Sequence, residues 1–287
     1  MRQSRRSDTL AAEGAKVGRM PPIKNALTID FEDWYQPFSA RSVQSWKNFG
    51  SRVPHETSRM LSLLDRLQVR ATFFVVGQIA ELYPDAIRAI SRCGHEIGSH
   101  GYRHEPLFAQ ERTLFECELR GSRELLQDLT GEPVRGFRAP FFSLRADTLW
   151  ATESLRSLGF EYSSSVHPTA SFLHGYPGGG RLPFRHPNGL REFPITTLSL
   201  GGVTLPFGGG LYYRLLPYGM IRCGLRWLNR RKRSGVLYFH PRDLDPDLPR
   251  LKTGPALRLI VYAGVRTLES KLSRLAQEFR FVPLREM

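Results

Sequence analysis

The 287-residue chain is poor in cysteine and has no CxxC spacing. Its three cysteines are odd in number, which argues against a disulfide framework and against a cysteine zinc site. We expect Cys93, Cys117 and Cys223 to be buried thiols. The longest apolar runs, 71–76 and 259–265, are far shorter than the ~20 residues that a membrane-spanning helix needs. These absences exclude a small disulfide-rich protein and predict no transmembrane segment.

Acidic residues are scarce beside basic ones, since 27 Asp and Glu stand against 41 Lys and Arg, and the formal net charge is +14. This charge favours anionic partners without choosing among acidic glycans, lipid headgroups and nucleic acid. No nucleic-acid-binding module is recognisable, so we expect no specific nucleic-acid partner. Residues 212–233 contain basic residues and no acidic one. They predict either a solvated helix face or a peripheral contact with an anionic membrane or glycan.

Residues 1–24 are basic and show no apolar period, which predicts a disordered tail. The stretch 10–20 contains Glu13, Lys16 and Arg19, so it lacks the apolar core of a secretory signal. On this ground we expect a cytoplasmic location, with a membrane-associated or periplasmic one as the alternatives.

From residue 25 onward, short β-rich runs alternate with helical patterns. We predict strands near 26–31, 71–76, 96–99, 134–138, 236–240 and 281, and helices over 57–67, 78–92, 109–129, 147–158, 217–233 and 256–279. This alternation is typical of an α/β fold with a largely parallel sheet or barrel and helices outside it. We expect one domain over 25–287, with a C-terminal helical extension from about 243 to 287.

A Gly- and Pro-rich insertion at about 166–210 interrupts the alternation. It is too long to be a structureless connection inside a compact domain, so part of it must be ordered. Segments 192–200 and 203–207 predict a β-hairpin across the Gly-Gly turn between them.

Three carboxylates, Asp30, Glu32 and Asp33, end the first predicted strand. Their mutual repulsion has to be offset by a cation, because close like charges raise one another's pKa and cost stability. Taken alone, the cluster is equally typical of a solvated acidic turn. In parallel α/β folds, however, ligand groups collect at the carboxyl ends of strands, so this position is a candidate site.

Two histidines four residues apart, His100 and His104, follow the third predicted strand. If the segment is one helical turn, both imidazoles point to the same side and can bind one divalent ion. An HxxxH pattern is common by chance, but this one lies at a strand end, as the acidic cluster does. The fold can therefore bring one carboxylate and two imidazoles together, a donor set that suits zinc and leaves a position open for water.

Two further strand ends carry single candidates. Arg138 lies in Phe-Arg-Ala-Pro-Phe, which alone predicts no more than a surface salt bridge. His240 ends Val-Leu-Tyr-Phe-His, and a lone histidine at a strand end is more often structural than functional. Neither motif identifies a function by itself.

In order, the four segments are Thr-Ile-Asp-Phe-Glu-Asp, Ser-His-Gly-Tyr-Arg-His, Phe-Arg-Ala-Pro-Phe and Leu-Tyr-Phe-His. Together they resemble the polysaccharide deacetylases of carbohydrate esterase family 4, the NodB-homology proteins, over about 25–241. Two further stretches, Phe-His-Pro-Arg-Asp-Leu-Asp-Pro and Pro-Phe-Gly-Gly-Gly-Leu-Tyr-Tyr-Arg-Leu-Leu-Pro, resemble the exopolysaccharide-locus subfamily associated with exosortase (PEP-CTERM) systems. The resemblance implies a distorted (β/α) barrel and a metal-dependent hydrolase that removes N-acetyl groups from a polysaccharide during exopolysaccharide biosynthesis.

The resemblance also implies a metal centre. His100, His104 and one acid, Glu32 or Asp33, correspond to the ligands of a divalent ion. The family usually has a second aspartate directly after the first, whereas Phe31 follows Asp30 here. By analogy with family members that use an Asp-Xaa-acid pattern, we favour Glu32. Zinc is the expected metal, with cobalt or another transition metal as alternatives.

The remaining roles follow from the same resemblance. Asp30 corresponds to the general base, and Arg138 would orient it through a charge-assisted pair. His240 would give its proton to the departing amine. The backbone N–H of Phe141, which stands where the family usually has tyrosine, corresponds to an oxyanion donor beside the metal.

One position departs from the family pattern. The aspartate that usually supports the acidic histidine falls near Ser163, and a serine cannot stabilise an imidazolium as a carboxylate does. Asp243 and Asp245, near His240, are the candidate substitutes. This departure, with the missing tyrosine, motivates an alternative hypothesis, a glycan-binding pseudoenzyme that keeps the fold and the metal site.

Overall fold

The computed structural model of the chain describes residues 22–36, 50–169, 175–250 and 254–287. The basic tail predicted over 1–24 lies outside the described residues except for its last positions. The described strands are β1 Lys24–Phe31, β2 Thr72–Val75, β3 Glu96–Ser99, β4 Gly136–Phe137, β5 Tyr162–Ser163, β6 Phe184–Arg185, β7 Arg191–Glu192, β8 Thr197–Leu200, β9 Val203–Pro206, β10 Val236–Phe239 and β11 Arg280–Val282. The described helices are α1 Val53–Arg66, α2 Gly77–Leu82, α3 Pro84–Arg92, α4 Arg112–Thr130, α5 Trp150–Ser157, α6 Gly210–Leu215, α7 Tyr218–Arg230, α8 Pro255–Tyr262 and α9 Val265–Glu278.

One curled sheet organises these elements, with strand order β10-β1-β2-β3-β4-β5-β7-β6 and with β11 added to β1. Every pair in it is parallel except β6 with β7. Parallel neighbours need crossover connections, and the helices between β1 and β5 provide them. The sheet is a half-barrel with helices outside it, so the α/β barrel prediction is confirmed.

An extended segment, 193–196, spans the opening between β5 and β10. Phe193 N–H donates to the carbonyl of Ser163 at 2.8 Å, on the β5 side. Thr196 N–H donates to the carbonyl of Val236 at 3.2 Å, on the β10 side. The insertion expected at 166–210 therefore contributes ordered backbone to the barrel wall.

Helix α1 packs one apolar face against the sheet and begins earlier than the sequence pattern predicts. Met60, Leu63 and Leu64 are buried, as their helical spacing predicts. The predicted start at residue 57 is wrong, because the helix begins at Val53 with a proline in its first turn, a position that needs no N–H. The Thr57 hydroxyl instead donates to the carbonyl of Val53 at 2.6 Å.

Two predicted helices are each divided in the structure. The run 78–92 forms α2 and α3, because Pro84 cannot donate a backbone hydrogen bond and starts a new helix. The run 256–279 forms α8 and α9, which are separated at Gly264 with φ of 70°. A Cβ at Gly264 would lie 2.5 Å from the carbonyl oxygen of Arg214, so a glycine is needed there for close approach as well.

The predicted hairpin is confirmed. Strands β8 and β9 pair in antiparallel register, and Gly201 and Gly202 between them have φ of 56° and 82°. Two consecutive residues with positive φ match a type I′ turn, which glycine adopts at no steric cost.

The three cysteines are exposed free thiols, so the expectation that they are buried is wrong. In α7, for example, Ile221, Leu225 and Leu228 form the buried stripe, which leaves Cys223 outside it. Cys223 is therefore an exposed residue on the surface of α7.

The basic segment 212–233 forms α6 and α7, and part of its charge is compensated within the protein. Arg222 and Arg226 pair with Glu278 of α9 at 2.6 and 2.8 Å. Contact of this segment with a membrane or glycan stays a prediction. Among the described helices, none is long and apolar enough to cross a bilayer.

His95 provides a test of the packing at the amino end of the sheet. Its Nδ1 accepts a hydrogen bond from Ala71 N–H at 3.2 Å, and burial, with Arg70 and Arg285 nearby, lowers its pKa from 6.5 to about 4. The unfolded chain therefore takes up this proton first as the pH falls, so the stability that His95 contributes at neutral pH is lost between about pH 6.5 and about pH 4.

The free energy of unfolding of the wild type should fall between about pH 7.5 and about pH 5. We expect this fall to be ~2 kcal/mol smaller in His95→Asn, measured by urea denaturation. The exposed His55, changed to Asn, is the matched control and should leave the pH dependence as it is. An identical pH dependence in His95→Asn and the wild type would contradict the burial of a neutral imidazole.

Candidate functional site

The four predicted segments meet at the carboxyl end of the half-barrel. Asp30 is the last residue but one of β1, and His100, Arg138 and His240 directly follow β3, β4 and β10. Since β10, β1, β2, β3 and β4 are successive parallel neighbours, their carboxyl ends lie along one rim. The rim brings these polar side chains together, with Asp30, His100 and Arg138 buried and His240 partly buried.

A group of three buried side chains at this rim could hold a metal ion. Glu32, His100 and His104 each offer a ligand atom, and these atoms all lie within 4.8 Å of one another. His104 Nε2 is 2.6 Å from Glu32 Oε2, and the two imidazole centroids are 5.1 Å apart. Two imidazoles and one carboxylate are a donor set that zinc and related divalent ions prefer, so the residues present fit such an ion.

A hydrogen bond at one ring nitrogen of His100 leaves the other nitrogen available to a metal ion. Its Nδ1 lies 2.8 Å from the carbonyl oxygen of Arg138. A carbonyl can only accept, so Nδ1 carries the proton and the lone pair of Nε2 is left for a metal. Burial, partly opposed by Asp30, lowers the pKa of His100 to about 4, which keeps the imidazole neutral at neutral pH.

The segment from His100 to His104 is not the helical turn that the spacing suggests. Gly101 and His104 both have positive φ, 75° and 57°, and the chain bends sharply between the two imidazoles. A left-handed backbone is uncommon for histidine and is typical of functional sites, where surrounding contacts hold it. Phe141 packs on the His104 ring with centroids 4.6 Å apart.

The electrostatics around Glu32 favour an ionised carboxylate. Burial alone would raise the pKa of Glu32, but His104, Arg242 and His240 hold it well below its usual range. Arg242 Nη1 donates directly to Glu32 Oε1, which leaves Oε2 towards His104. An anionic ligand is thus present at neutral pH without a metal to deprotonate it.

Asp33, in contrast to Glu32, is held by hydrogen bonds from the backbone. Its Oδ1 accepts from the backbone N–H of Trp34 at 2.9 Å and of Arg52 at 3.2 Å. Burial raises the pKa of its carboxyl, the opposite direction from Glu32. The structure therefore favours Glu32 over Asp33 as the acid of the metal group.

Asp30 is paired with a completely buried arginine. Arg138 Nη1 donates to Asp30 Oδ1 at 2.6 Å and to the Thr28 hydroxyl at 2.7 Å. Its Nε and Nη2 donate to the carbonyl and hydroxyl of Ser164 at 2.9 and 2.8 Å. The guanidinium also lies over the Phe74 ring, 4.3 Å from the centroid. These contacts fix the orientation of the Asp30 carboxylate at the edge of the metal group.

His240 lies close to both the Glu32 and the Asp30 carboxylates. Its Nε2 is 3.5 Å from Glu32 Oε1 and 4.0 Å from Asp30 Oδ2. Its Nδ1 is 3.2 Å from Asp243 Oδ2. Of the two candidate substitutes, Asp243 is therefore the neighbour of His240, whereas Asp245 pairs with Arg52.

Ser163 is not near this histidine in the hydrogen-bond network. Its hydroxyl donates to Ser165 at 2.7 Å, and the Ser165 hydroxyl accepts from Ala139 N–H at 2.9 Å. The serine run thus supports the backbone just after Arg138.

Three polar partners in the site were missed by sequence reasoning. Thr28 lies two residues before Asp30, and the two-residue period of a strand was the available signal that they share a face. Arg242 follows His240 by two positions and carried no signal of its own. Ser164 comes from a distant loop, and nothing in its local sequence connects it to Arg138.

The backbone at Phe141 is strained. Phe141 and Phe142 have φ of 58° and 51° within a short 3₁₀ turn, Pro140–Phe142. Consecutive non-glycine residues in the left-handed region cost free energy and persist where surrounding packing enforces them. The role of the Phe141 N–H as an oxyanion donor stays a prediction.

Two family models match consecutive parts of the chain. Residues 24–163 match the model described as Polysaccharide deacetylase. Residues 164–287 match a model described as a domain of unknown function, DUF3473. The boundary falls directly after β5, so the first model contains β1 to β5 and the second contains β10 and the C-terminal helices.

Named relatives and solved structures are consistent with the first match. The chain is 35% identical over 108 residues to a peptidoglycan deacetylase of Helicobacter pylori, covering 38% of this chain and 36% of that protein. It is 33% identical over 153 residues to a peptidoglycan-N-acetylglucosamine deacetylase of Bacillus cereus, covering 50% and 56%. A Mycobacterium smegmatis structure assigned as a polysaccharide deacetylase aligns with TM-score 0.64 at 20% identity, covering 93% and 90%, and shares the fold.

The metal group can be tested by substituting two of its members and, as a comparison, the neighbouring Asp33. We expect Glu32→Gln and His104→Ala to weaken zinc binding by more than ~10-fold, because loss of an outer partner alone already costs 10–100-fold. Isothermal titration calorimetry with zinc measures the affinity. Asp33→Asn is the matched control and should bind zinc as the wild type does, since its Oδ1 still accepts both backbone N–H groups. A larger loss in Asp33→Asn than in Glu32→Gln would exchange the two assignments.

Proposed function

We propose that this chain is a hydrolase that removes N-acetyl groups from the amino sugars of a polysaccharide, because residues 24–163 match the polysaccharide deacetylase model and the named relatives are deacetylases. The relatives named above act on peptidoglycan, and the chain spans only about a third to a half of their length. The activity of the whole protein is accordingly part of the proposal.

The observation that carries the proposal is the arrangement of charged groups around the metal group. The imidazole of His240 lies near both the Glu32 carboxylate and the arginine-held carboxylate of Asp30. Amide hydrolysis needs a base for the attacking water and an acid for the leaving amine, and both must reach the same small space. The separation of 4.0 Å between His240 Nε2 and Asp30 Oδ2 meets this requirement.

Glu32, His100 and His104 would hold the divalent ion, with zinc as the expected metal. When bound, such an ion supplies Lewis-acid chemistry, which polarises an acetyl carbonyl and lowers the pKa of water. Asp30 would accept the proton of the attacking water at its Oδ2, since Oδ1 is engaged by Arg138. Arg138 keeps the carboxylate from rotating, so the base is oriented before substrate arrives.

His240 would donate the proton that lets the sugar amine leave. Its Nε2 faces the carboxylates, whereas its Nδ1 faces Asp243. The N–H of Phe141 would donate to the developing oxyanion from the turn that follows Arg138. Asp30 and His240 come from different strands, so the acid and the base remain separate groups with separate partners.

The finer features of the proposal rest on the sequence resemblance. One is a role in exopolysaccharide biosynthesis, at a locus of the exosortase-associated kind. The other is an acetylated polysaccharide as the substrate that the protein binds. The basic segment 212–233 would supply any contact with an acidic glycan or membrane. The compartment stays a prediction.

Asp30→Asn tests the function without disturbing the metal ligands. We expect the variant to bind zinc as the wild type does and to lose acetate release from an N-acetylglucosamine oligomer by ~10²–10⁴-fold, the usual contribution of a positioned base. An enzymatic acetate assay and zinc analysis of the same sample provide the two measurements. Asp65→Asn, on the solvent side of α1, is the matched control.

Undiminished turnover in Asp30→Asn would remove Asp30 from the role of base. If the zinc-loaded wild type releases no acetate from any N-acetylhexosamine oligomer but still binds the oligomer, the pseudoenzyme hypothesis is correct instead.

A further inference from the structure

We propose that Asp243, Arg214 and Gly210 are positioning residues that hold His240 ready to protonate the leaving amine, a task that Ser163 cannot perform. This inference rests on the proposed function and assigns three residues of the C-terminal part of the chain to the same reaction. Two of them, Gly210 and Arg214, lie in α6, which the site described above does not include.

Asp243 grips His240 at two points. Its Oδ2 accepts from the backbone N–H of His240 at 2.9 Å and lies 3.2 Å from His240 Nδ1. A carboxylate only accepts, so it selects the form of the ring that carries a proton on Nδ1. Nε2 is then directed towards Glu32 and Asp30, where the leaving group has to be protonated. The same carboxylate would stabilise the imidazolium that donates that proton.

Arg214 supplies the charge that allows Asp243 to be buried. Its Nε lies 3.2 Å from Asp243 Oδ1, and both side chains are 3% exposed. Burial alone would raise the pKa of Asp243, but Arg214 and His240 hold it well below its usual range. Without this cation, a buried carboxylate beside Glu32 and Asp30 would carry a large desolvation cost.

The position of Arg214 is set by the C-terminal helices rather than by Asp243. Its Nη1 donates to the carbonyls of Val261 and Ala263, both at 2.9 Å, and its Nη2 to that of Ile260 at 2.5 Å. These carbonyls end α8, where a cation also meets the negative end of the helix dipole. Lys271 of α9 in turn donates to the Arg214 carbonyl at 2.8 Å. The guanidinium is therefore a fixed charge, held from α8 and α9.

Gly210 makes room for the Asp243 carboxylate. A Cβ at Gly210 would collide with that carboxylate, whose Cγ would lie 3.0 Å away. The two preceding glycines allow the chain to approach β10 closely. A Cβ at Gly209 would lie 2.8 Å from the Tyr238 hydroxyl, and a Cβ at Gly208 would lie 2.6 Å from the Val236 carbonyl oxygen. The Gly-Gly-Gly-Leu-Tyr-Tyr-Arg run thus brings α6 against Asp243 with its arginine in reach.

The test compares two substrates that differ in their need for an acid. The amine of an N-acetylglucosamine oligomer leaves only when protonated, whereas the phenolate of 4-nitrophenyl acetate leaves without a proton. The zinc-loaded full chain is assayed as wild type and as Asp243→Asn, Arg214→Gln and Gly210→Ala. Arg226→Gln and Gly219→Ala are the matched controls, since Arg226 pairs with Glu278 on the surface and a Cβ at Gly219 meets nothing within 4 Å.

We expect each of the three variants to lower kcat for the oligomer by ~10–100-fold, with KM within about twofold and with unchanged zinc content. Their rates on the aryl ester should fall by less than about threefold, because that leaving group needs no proton. Both controls should match the wild type on both substrates. Equal losses on the two substrates, or no loss on the oligomer, would overturn the proposal.

A second readout separates this proposal from the proposed function. The ¹⁵N spectrum of histidine-labelled, zinc-loaded protein reports which ring nitrogen of His240 is protonated, with His240→Gln identifying the signal. We expect a protonated Nδ1 in the wild type and a different tautomer distribution in Asp243→Asn. If the wild type acts on no acetylated sugar while this shift occurs, the substrate proposal is wrong and the positioning is right. If His240 gives the same signal in Asp243→Asn, the positioning is wrong whatever the activity.

Discussion

The guanidinium of Arg138 is the interaction on which the rest of the site depends. It is completely buried, and an uncompensated charge there would cost several kcal/mol, so every contact around it is needed. Arg138 follows β4, whereas its partners Asp30 and Thr28 lie on β1, and two strands, β2 and β3, separate β4 from β1 in the sheet order. A side chain can span that distance only if the sheet curls. The orientation of the Asp30 carboxylate therefore depends on the curvature of the half-barrel.

The same kind of ion pair recurs around the rim, where three acids each face an arginine. Arg138 pairs with Asp30, Arg242 with Glu32, and Arg214 with Asp243. Each of these carboxylates therefore has a cationic partner within one buried region, where close like charges alone would cost stability. Residues up to 163 supply the base and the metal group, whereas His240, Arg242 and Arg214 come from the second part. Neither part of the chain builds the site without the other.

Much of this arrangement was predictable, and the reason is positional. Asp30, His100, Arg138 and His240 all lie at strand ends, and parallel strands bring their carboxyl ends together, so local pattern was enough to predict their convergence. The partners of His240 were harder to find. Asp243 was one of two nearby acids, and only the 3₁₀ turn at Pro241–Leu244 selects it over Asp245. Arg214 could not be predicted at all, because its link to Asp243 depends on the packing of α6 against α8. The left-handed backbone of His104 could not be predicted either, because the spacing of the two histidines suggested a helical turn.

The central claim is that Glu32, His100 and His104 hold one divalent ion beside the arginine-held carboxylate of Asp30. Anomalous diffraction at the zinc edge from crystals grown with zinc tests it most directly. The account predicts one peak bonded to Glu32 and to the Nε2 atom of His100 and a nitrogen of His104, at ~2.0–2.2 Å, with Asp30 still paired to Arg138. A peak held by Asp33 in place of Glu32, or no zinc between the two imidazoles, would contradict it.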